Sequence, residues 1–291
     1  MNEQELRGLV ETMVRELAGK EKKTAVSSSP QTAQGCLDDI AAVDLRKEYL
    51  VPHPRNGEAF MDLKKRTPAR LGLGRAGARY RTASLLRFRA DHAAAQDSVF
   101  SHVPEAFAKE NGFVPVQTLC KTKDEYLTRP DRGRRFDEEN QAVIQKALGK
   151  NPKIVLVAGD GLSSAAIEAN AVDCLKAIQG GLRTYGLDGG PVLFVQYCRV
   201  GASDHIGDLT GAEVVCMLVG ERPGLVTAQS MSAYLTYRPR IGIPESKRTV
   251  ISNIHRQGTT AVEAGAHIAE LIHLMLEKKA SGIDLRAGGT V

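Results

Sequence analysis

Apolar runs and helical segments alternate from residue 136 to the end of the chain, and this alternation limits the fold more than any other feature. "KIVLVAGDG" (153–161), "PVLFVQYCRV" (191–200) and "VVCMLVGERPGL" (214–225) each hold a short, β-branched apolar stretch that runs into a turn. Such stretches read as strands buried on both faces. Between them, "DEENQAVIQKALGK" reads as a helix with Asp137 near its start and Gly149 near its end, "LSSAAIEANAVDCLKAIQGGL" as a second helix, and "DHIGDLTGA" as a short crossover. "SAYLTYRP" and "RTVISNIH" add two strands, and a long final helix runs from Thr259 to about Lys279. The pattern predicts a doubly wound, mostly parallel sheet. Each strand leads into polar residues: Asp160, Arg199, Glu221 with Arg222, Asn253 with His255. Ligands of open α/β sheets sit beyond the carboxyl ends of the strands, so a binding crevice is expected along that rim.

The chain before residue 136 differs in character. Residues 1–19 place Leu6, Leu9, Val10, Met13, Val14 and Leu17 on one stripe of a helix. Residues 20–39 are polar and aperiodic, a linker. A short helix on such a leash either docks on another surface or packs on its own domain. Residues 40–135 read as a smaller, mainly helical lobe without an alternating strand. Its best helix lies in "TASLLRFRADHAAAQDSVFSHV" (82–103), with Leu85, Leu86, Phe88, Ala90, Ala93 and Val99 as the apolar set. Basic residues crowd ahead of it and into it: Arg66, Arg70, Arg75, Arg79, Arg81, Arg87 and Arg89. The fold class is therefore α/β: an amphipathic tail, a helical lobe at 40–135, and a doubly wound lobe at 136–291.

Composition excludes several function classes. Over 291 residues the net charge is +5, too mild for nucleic-acid binding unless it gathers on one face. The cysteines (Cys36, Cys120, Cys174, Cys198, Cys216) are odd in number and scattered, without zinc or disulfide spacing, and read as reduced core thiols. The sequence holds no membrane span, and "MNEQEL" does not begin a secretory signal.

The short motifs yield no reaction centre. "GLGRAG" (72–77) fits G-x-G-x-x-G, but no buried strand feeds it, "ARYRT" opens no helix, and no acidic residue follows at the required distance. It reads as a basic loop for an anion or a partner subunit. "VAGDGLSS" (157–164) lies between strand and helix yet lacks a Walker lysine; Asp160 or Ser163 caps the helix, or the turn touches a ligand. "LTRPDRGRRF" (127–136) is either a solvated surface or a clamp for carboxylates of another chain, and without interleaved aromatics it is a poor RNA site. His205 stands alone, and no Ser-His-Asp set, H-E-x-x-H or paired carboxylates appear. No catalytic residue and no metal ligand is assigned.

The blocks "GRAGARYRTASLLRFRADHA", "YLTRPDRGRRF", "AGDGLSSAAIEAN", "VGERPGL", "SNIHRQGT" and "LEKKASGI" come in an order that resembles the small (light) subunits of ethanolamine ammonia-lyases, over about residues 40 to 285. The resemblance implies an adenosylcobalamin enzyme of large and small subunits that converts ethanolamine to acetaldehyde and ammonia through an adenosyl radical. It implies that substrate and radical chemistry lie in the large subunit, with ethanolamine bound mainly there, while the small subunit closes the cobalamin site at the interface. The chain alone is then expected to be inactive. Cobalamin contacts carry over to Val200, Glu221 and Val250. At position 250 relatives hold Cys, so Val keeps only a backbone contact. The family retains the cofactor's own base on cobalt, in keeping with the lack of Asp-x-His-x-x-Gly around His205. The resemblance also implies that residues 1–19 address the enzyme to a shell protein of a bacterial microcompartment within the cytoplasm, with neither membrane nor nucleic acid as partner. The competing class is a non-enzymatic α/β anion- or nucleotide-binding module that uses the Arg-rich helical region.

Overall fold

The structure, a computed structural model, describes residues 44–287. The expected helix at 1–19 and the linker at 20–39 lie outside the described residues. In chain order the elements are α1 (Gly57–Lys65), β1 (Arg75–Ala76), β2 (Arg79–Tyr80), α2 (Thr82–Phe100), α3 (Glu105–Glu110), β3 (Val114–Gln117), α4 (Lys123–Thr128) and α5 (Glu138–Leu148). There follow β4 (Ile154–Asp160), α6 (Ser164–Thr184), β5 (Val192–Gln196), α7 (Ala202–Thr210), β6 (Val214–Gly220), β7 (Met231–Tyr237), β8 (Arg248–Ile254), α8 (Ala261–Lys278) and α9 (Ile283–Ala287).

β4 and β6 are buried at every residue, as their unbroken apolar runs require of strands covered on both faces. The main sheet has the order β3-β5-β4-β6-β7-β8. β3, β5, β4 and β6 run parallel, in register from Ile154↔Val214 and Leu156↔Val192 onward. β7 and β8 join antiparallel. Alternate residues of each strand feed two cores. Leu156 and Ala158 pack with Ile167, Cys174 and Ile178 of α6 and with Ile268, Ile272 and Met275 of α8. Val155, Val157, Val215 and Met217 pack on the other face with Ile144 of α5 and Ile206 of α7. The sheet is doubly wound and mostly parallel, as expected.

Local chemistry sets the helix ends. The Asp137 side chain accepts from the Asn140 amide at the start of α5, and Gly149 ends that helix with φ +69°. Thr260 and Glu263 form a reciprocal capping box on α8, so the final helix begins slightly later than the expected Thr259.

Two expectations fail ahead of residue 136. No strand was expected there, yet β3 pairs in parallel with β5. Four residues containing Pro115 carry too little pattern to register, and Pro is tolerated because β3 is an edge strand. α2 is the expected helix, but its apolar set does not face a core. The side chains it buries are Ser84, Ala95 and Ser98, while Leu85, Leu86 and Phe88 lie exposed. The helix is held by small polar groups that allow close approach: Ser98 Oγ lies 3.2 Å from Ser163 Oγ, and Ser84 Oγ donates to the Leu73 carbonyl at 2.5 Å.

Candidate functional site

Because β4, β5 and β6 are parallel, their carboxyl ends meet on one rim. At the end of β4 the Asp160 side chain is buried. Its Oδ2 accepts from the Val103 amide at 3.1 Å and its Oδ1 from the Ser164 hydroxyl at 2.7 Å. Asp160 thus ties the segment after α2 to the sheet. Ser163 is the residue that caps α6, through the Ala166 amide at 3.2 Å. Between the two readings left open for this turn, the capping one fits the geometry. Nearby, Lys123 Nζ donates to the carbonyls of Ser101 (3.1 Å) and Gly161 (2.9 Å). Its burial lowers the ammonium's pKa, against the pull of Asp160.

Beyond β5, the Arg199 guanidinium lies 4.4 Å from the centre of the Tyr126 ring and donates to the Tyr126 carbonyl at 2.7 Å. The Arg199 amide is bound by the Gly133 carbonyl, so the arginine-rich loop at 127–136 supports this exit from below. Within that loop Arg129 pairs with Asp131 and Arg132 with Glu125. Val200 follows, half-buried, and its carbonyl accepts from both the amide (3.1 Å) and the hydroxyl (2.8 Å) of Ser203.

β6 ends where Gly220 must be glycine: a Cβ there would stand 2.2 Å from the Ser163 carbonyl oxygen. Glu221 comes next, half-buried. Its hydrogen bonds go to Ser232 and Asn253 rather than to Arg222, and both fall on Oε1: from the Ser232 hydroxyl at 2.7 Å and the Asn253 amide at 2.8 Å. Burial pushes the carboxyl pKa up, but the Asn253 amide, the Ser232 and Ser230 hydroxyls and nearby His255 outweigh it and hold Glu221 below the usual carboxylate range. Glu221 is therefore an anion that joins β6, β7 and β8. The Asn253 amide reaches it because β8 shifts register against β7 here and Asn253 takes a left-handed backbone (φ +63°).

Val250 lies opposite Tyr234 and is 40% exposed. It shares a face of β8 with Arg248, two residues before it, and Ser252, two after, whose hydroxyl lies 3.2 Å from that of Ser232. The Arg248 side chain is 2% exposed and grips Asp204 of α7 with both terminal nitrogens at 2.8 Å, while its Nε bonds Glu245 at 2.6 Å. Burial opposes its charge, and the two carboxylates outweigh that. Arg248 also approaches Ser203 Oγ at 3.4 Å.

Val200, Glu221 and Val250 are thereby linked. From the Val200 carbonyl the contacts run through Ser203 to Arg248, along β8 to Val250, across to Tyr234, and back through Ser232 to Glu221. They border the edge of the sheet at β8, where Val250 and Ser252 are exposed while Ser232 and Thr236 of β7 beside them are buried. The sequence reading missed the groups that join them: Arg248, Asp204, Ser232 and the Asn253 amide. The one available signal was an arginine opening the otherwise uncharged strand "RTVISNI". Arg70 adds a further tie, donating to Asp91 of α2 at 2.6 Å and to the Leu225 carbonyl at 2.7 Å, so the loop after Glu221 is fastened to the helical region.

The other singled-out features play structural parts. "GLGRAG" leads into the β1–β2 hairpin, and α2 starts only at Thr82, so no helix N-terminus opens on it. His205 stacks on Phe136 and accepts the Phe136 amide on Nδ1 at 3.1 Å. Burial, then Arg135, lowers its pKa, against Asp208. Cys120, Cys174, Cys198 and Cys216 are free and buried, and burial raises the thiol pKa of each, that of Cys174 to about 12. Among the described residues no group of three or more His, Cys, Asp or Glu could hold a metal ion, and no helix is long and apolar enough to cross a membrane.

Comparison with known proteins agrees with this arrangement of blocks. A family model described as "Ethanolamine ammonia-lyase light chain (EutC)" matches residues 57–286. The chain is 60% identical over 293 residues to an ethanolamine ammonia-lyase small subunit of Clostridioides difficile, covering 98% of this chain and 100% of that one. It is 58% identical to the small subunit of Clostridium perfringens and 57% to that of Listeria monocytogenes serotype 4a, with the same coverage. The rim and the exposed edge of β8 thus stand in a chain that belongs to the ethanolamine ammonia-lyase small-subunit (light-chain) family, a component of a lyase complex.

Proposed function

We propose that this chain is the subunit that closes the adenosylcobalamin site of an ethanolamine ammonia-lyase, at its interface with a large subunit that binds ethanolamine and carries out its conversion to acetaldehyde and ammonia. The observation that carries this is Glu221. Its carboxylate is held ionised at the rim, accepting from the Ser232 hydroxyl and the Asn253 amide on Oε1, with the Ser230 hydroxyl also favouring the charge. A carboxylate carries several acceptor lone pairs, so it can still take a donor from outside the chain.

The residues present fit the group. A corrin offers a ring of amide side chains and an apolar edge. The chain would offer it a carboxylate at Glu221, backbone polar groups at the Val200 turn and at Val250, and the Ser252 hydroxyl. Glu221 and Val200 would hold amide groups of the cofactor, and at position 250 only the backbone would, since valine supplies no sulfur. Adenosylcobalamin, when bound, supplies the carbon-centred radical that initiates the reaction. The chain's own residues orient that group and exclude water from it. No acid, base or nucleophile of this chain takes part.

A nucleotide-binding module is disfavoured because the "GLGRAG" segment forms a hairpin approach without a helix N-terminus. Residues 1–19 serve as the address to a microcompartment shell protein: their apolar stripe suits a groove, and acidic residues on the other faces oppose anionic lipid. Fusing them to a fluorescent protein should give shell-dependent puncta; diffuse fluorescence in shell-producing cells counts against that role.

The test of the main reading is reconstitution with the large subunit. Glu221→Gln preserves the acceptor on Oε1 and removes the charge. Equilibrium binding of adenosylcobalamin to the reassembled complex should weaken about tenfold, the equivalent of ~1.4 kcal/mol. Subunit association should not change. Undiminished cofactor affinity in the variant complex would refute the assignment of Glu221.

A further inference from the structure

Residues 44–100 form an arm without a core of its own. Among the described residues before Val103, Ala95 is the one hydrophobic side chain that is buried. Leu63, Leu85, Leu86, Phe88 and Phe100 are 40–60% exposed, four of them on the single helix α2. Scattered exposed leucines need no explanation, but a 19-residue helix that buries only two serines and an alanine does. Helices in proteins gain most of their stability from packing an apolar face.

The same segment concentrates the charge. Residues 63–90 hold nine Lys and Arg and no Asp or Glu, against a net charge of +5 for the whole chain. Lys64 and Arg70 are engaged inward, with the Glu48 carbonyl and with Asp91 and the Leu225 carbonyl. Lys65, Arg66, Arg75, Arg79, Arg81 and Arg89 are exposed. Nucleic acid is the weaker match for such a face. Two of its aromatic rings are covered by cations, Phe88 by Arg70 at 5.3 Å and Tyr80 by Arg75 at 5.0 Å, and most of its other open apolar surface is aliphatic, which offers bases little to stack on. A protein surface with an apolar centre and acidic rim complements it.

We infer that the outer face of α2, with the β1–β2 hairpin, is the docking surface for the large subunit, whose matching surface is apolar at its centre and acidic around it. This rests on the small-subunit reading above. It has a consequence for the cofactor site: Arg70 joins Asp91 of α2 to the carbonyl of Leu225, so seating α2 also fixes the loop that begins at Glu221.

The test uses the full chain and purified large subunit. Leu86→Asp and Phe88→Asp should each weaken their association at least tenfold, and Arg89→Glu should weaken it and flatten its salt dependence. The thermal midpoints of the isolated variants should match wild type, since these side chains are exposed. Val262→Asp, 60% exposed on α8, is the control and should bind normally. Amide exchange across residues 82–100 should slow only when the large subunit is added. Wild-type affinity in both α2 variants overturns the docking face while leaving the subunit reading standing. So does protection of 82–100 in the isolated chain, which would mean that its own residues or a second copy cover the helix. Tighter binding of single-stranded RNA than of the large subunit by this face overturns it in favour of nucleic acid. Failure of the wild-type chain to bind the large subunit at all overturns the subunit reading and this inference together.

Discussion

Glu221 provides a quantitative test that needs no partner. Its Oε1 accepts from the Asn253 amide at 2.8 Å and the Ser232 hydroxyl at 2.7 Å, and so holds the ends of β6, β7 and β8 together. Hydrogen bonds to a charged group are worth about 1.5–3 kcal/mol and neutral ones about 0.5–1.5. Glu221→Gln keeps both acceptances but makes them neutral, a loss of about 2–3 kcal/mol over the two bonds. Glu221→Ala removes both; because water reaches the exposed Asn253, the loss stays near the lower bound, about 3 kcal/mol. Urea unfolding of the isolated chain at pH 7 reads both values. The sign with pH follows from the depressed native pKa: the charge contributes fully above the unfolded value of about 4.3, and the contribution is lost as pH falls through the lower native value. The gap between wild type and Glu221→Gln should therefore hold from pH 7 to about 5 and shrink below pH 4. Equal stability of the two at pH 7, or a gap that persists unchanged at pH 3, would show that the hydrogen bonds to Oε1 do not depend on its charge.

Three further outcomes are expected. Asp204→Asn leaves the Arg248 guanidinium, 2% exposed, without its bidentate partner and should cost about 3–5 kcal/mol in chemical unfolding, whereas Asp204→Leu combined with Arg248→Met should recover much of that loss; equal losses in the single and double variants would disprove it. Gly220→Ala forces a methyl to 2.2 Å from the Ser163 carbonyl and should cost about 1–3 kcal/mol, with amide shifts centred on Ser163 and Glu221; an unshifted spectrum would be the contrary result. Cys120, Cys174, Cys198 and Cys216 should resist an aqueous thiol reagent at pH 8 until the chain unfolds, and rapid labelling of any of the four in the native state would contradict their burial.

The central strands were legible because their pattern is redundant. In "IVLVAGD" and "VVCMLVG" every residue is apolar, glycine or terminal, so a slip of one position would change nothing in the assignment, and both are buried throughout. The position of Glu221 followed from the same logic, since the residue after a buried parallel strand stands at the rim. Its partners did not follow. Ser232 and Asn253 reach the carboxylate through antiparallel pairing and a register shift that no local pattern announces. The misassigned face of α2 has a related cause. Leu85, Leu86 and Phe88 are apolar, but periodicity reports that a helix has an apolar side, not whether that side meets its own chain or another. The glycines of "GLGRAG" illustrate the converse: the letters matched a phosphate loop, while the missing strand before them, visible in "KKRTPAR", correctly excluded it.

The place of the site follows from a change of topology within the sheet. Up to β6 each connection returns through a helix, so α5 and α7 cover one face and α6 and α8 the other. After β6 the chain stops making crossovers. β7 and β8 return antiparallel, and their Met231, Ala233, Leu235 and Ile254 still pack into the core with α6 and α8. Among the described residues no helix follows them on the opposite face. Ser232, Tyr234, Thr236, Val250 and Ser252 alternate onto that side, and Arg248 at its inner edge must be neutralised by Asp204 of α7, the last helix on that face. An antiparallel ribbon added to a parallel sheet thus ends in an edge beside the strand ends where Val250 and Ser252 of β8 are exposed. The bulge at Asn253 turns its amide inward and keeps Glu221 charged at the corner. On the proposed reading, this exposed edge of β8 beside Glu221 is where the cofactor would meet the chain.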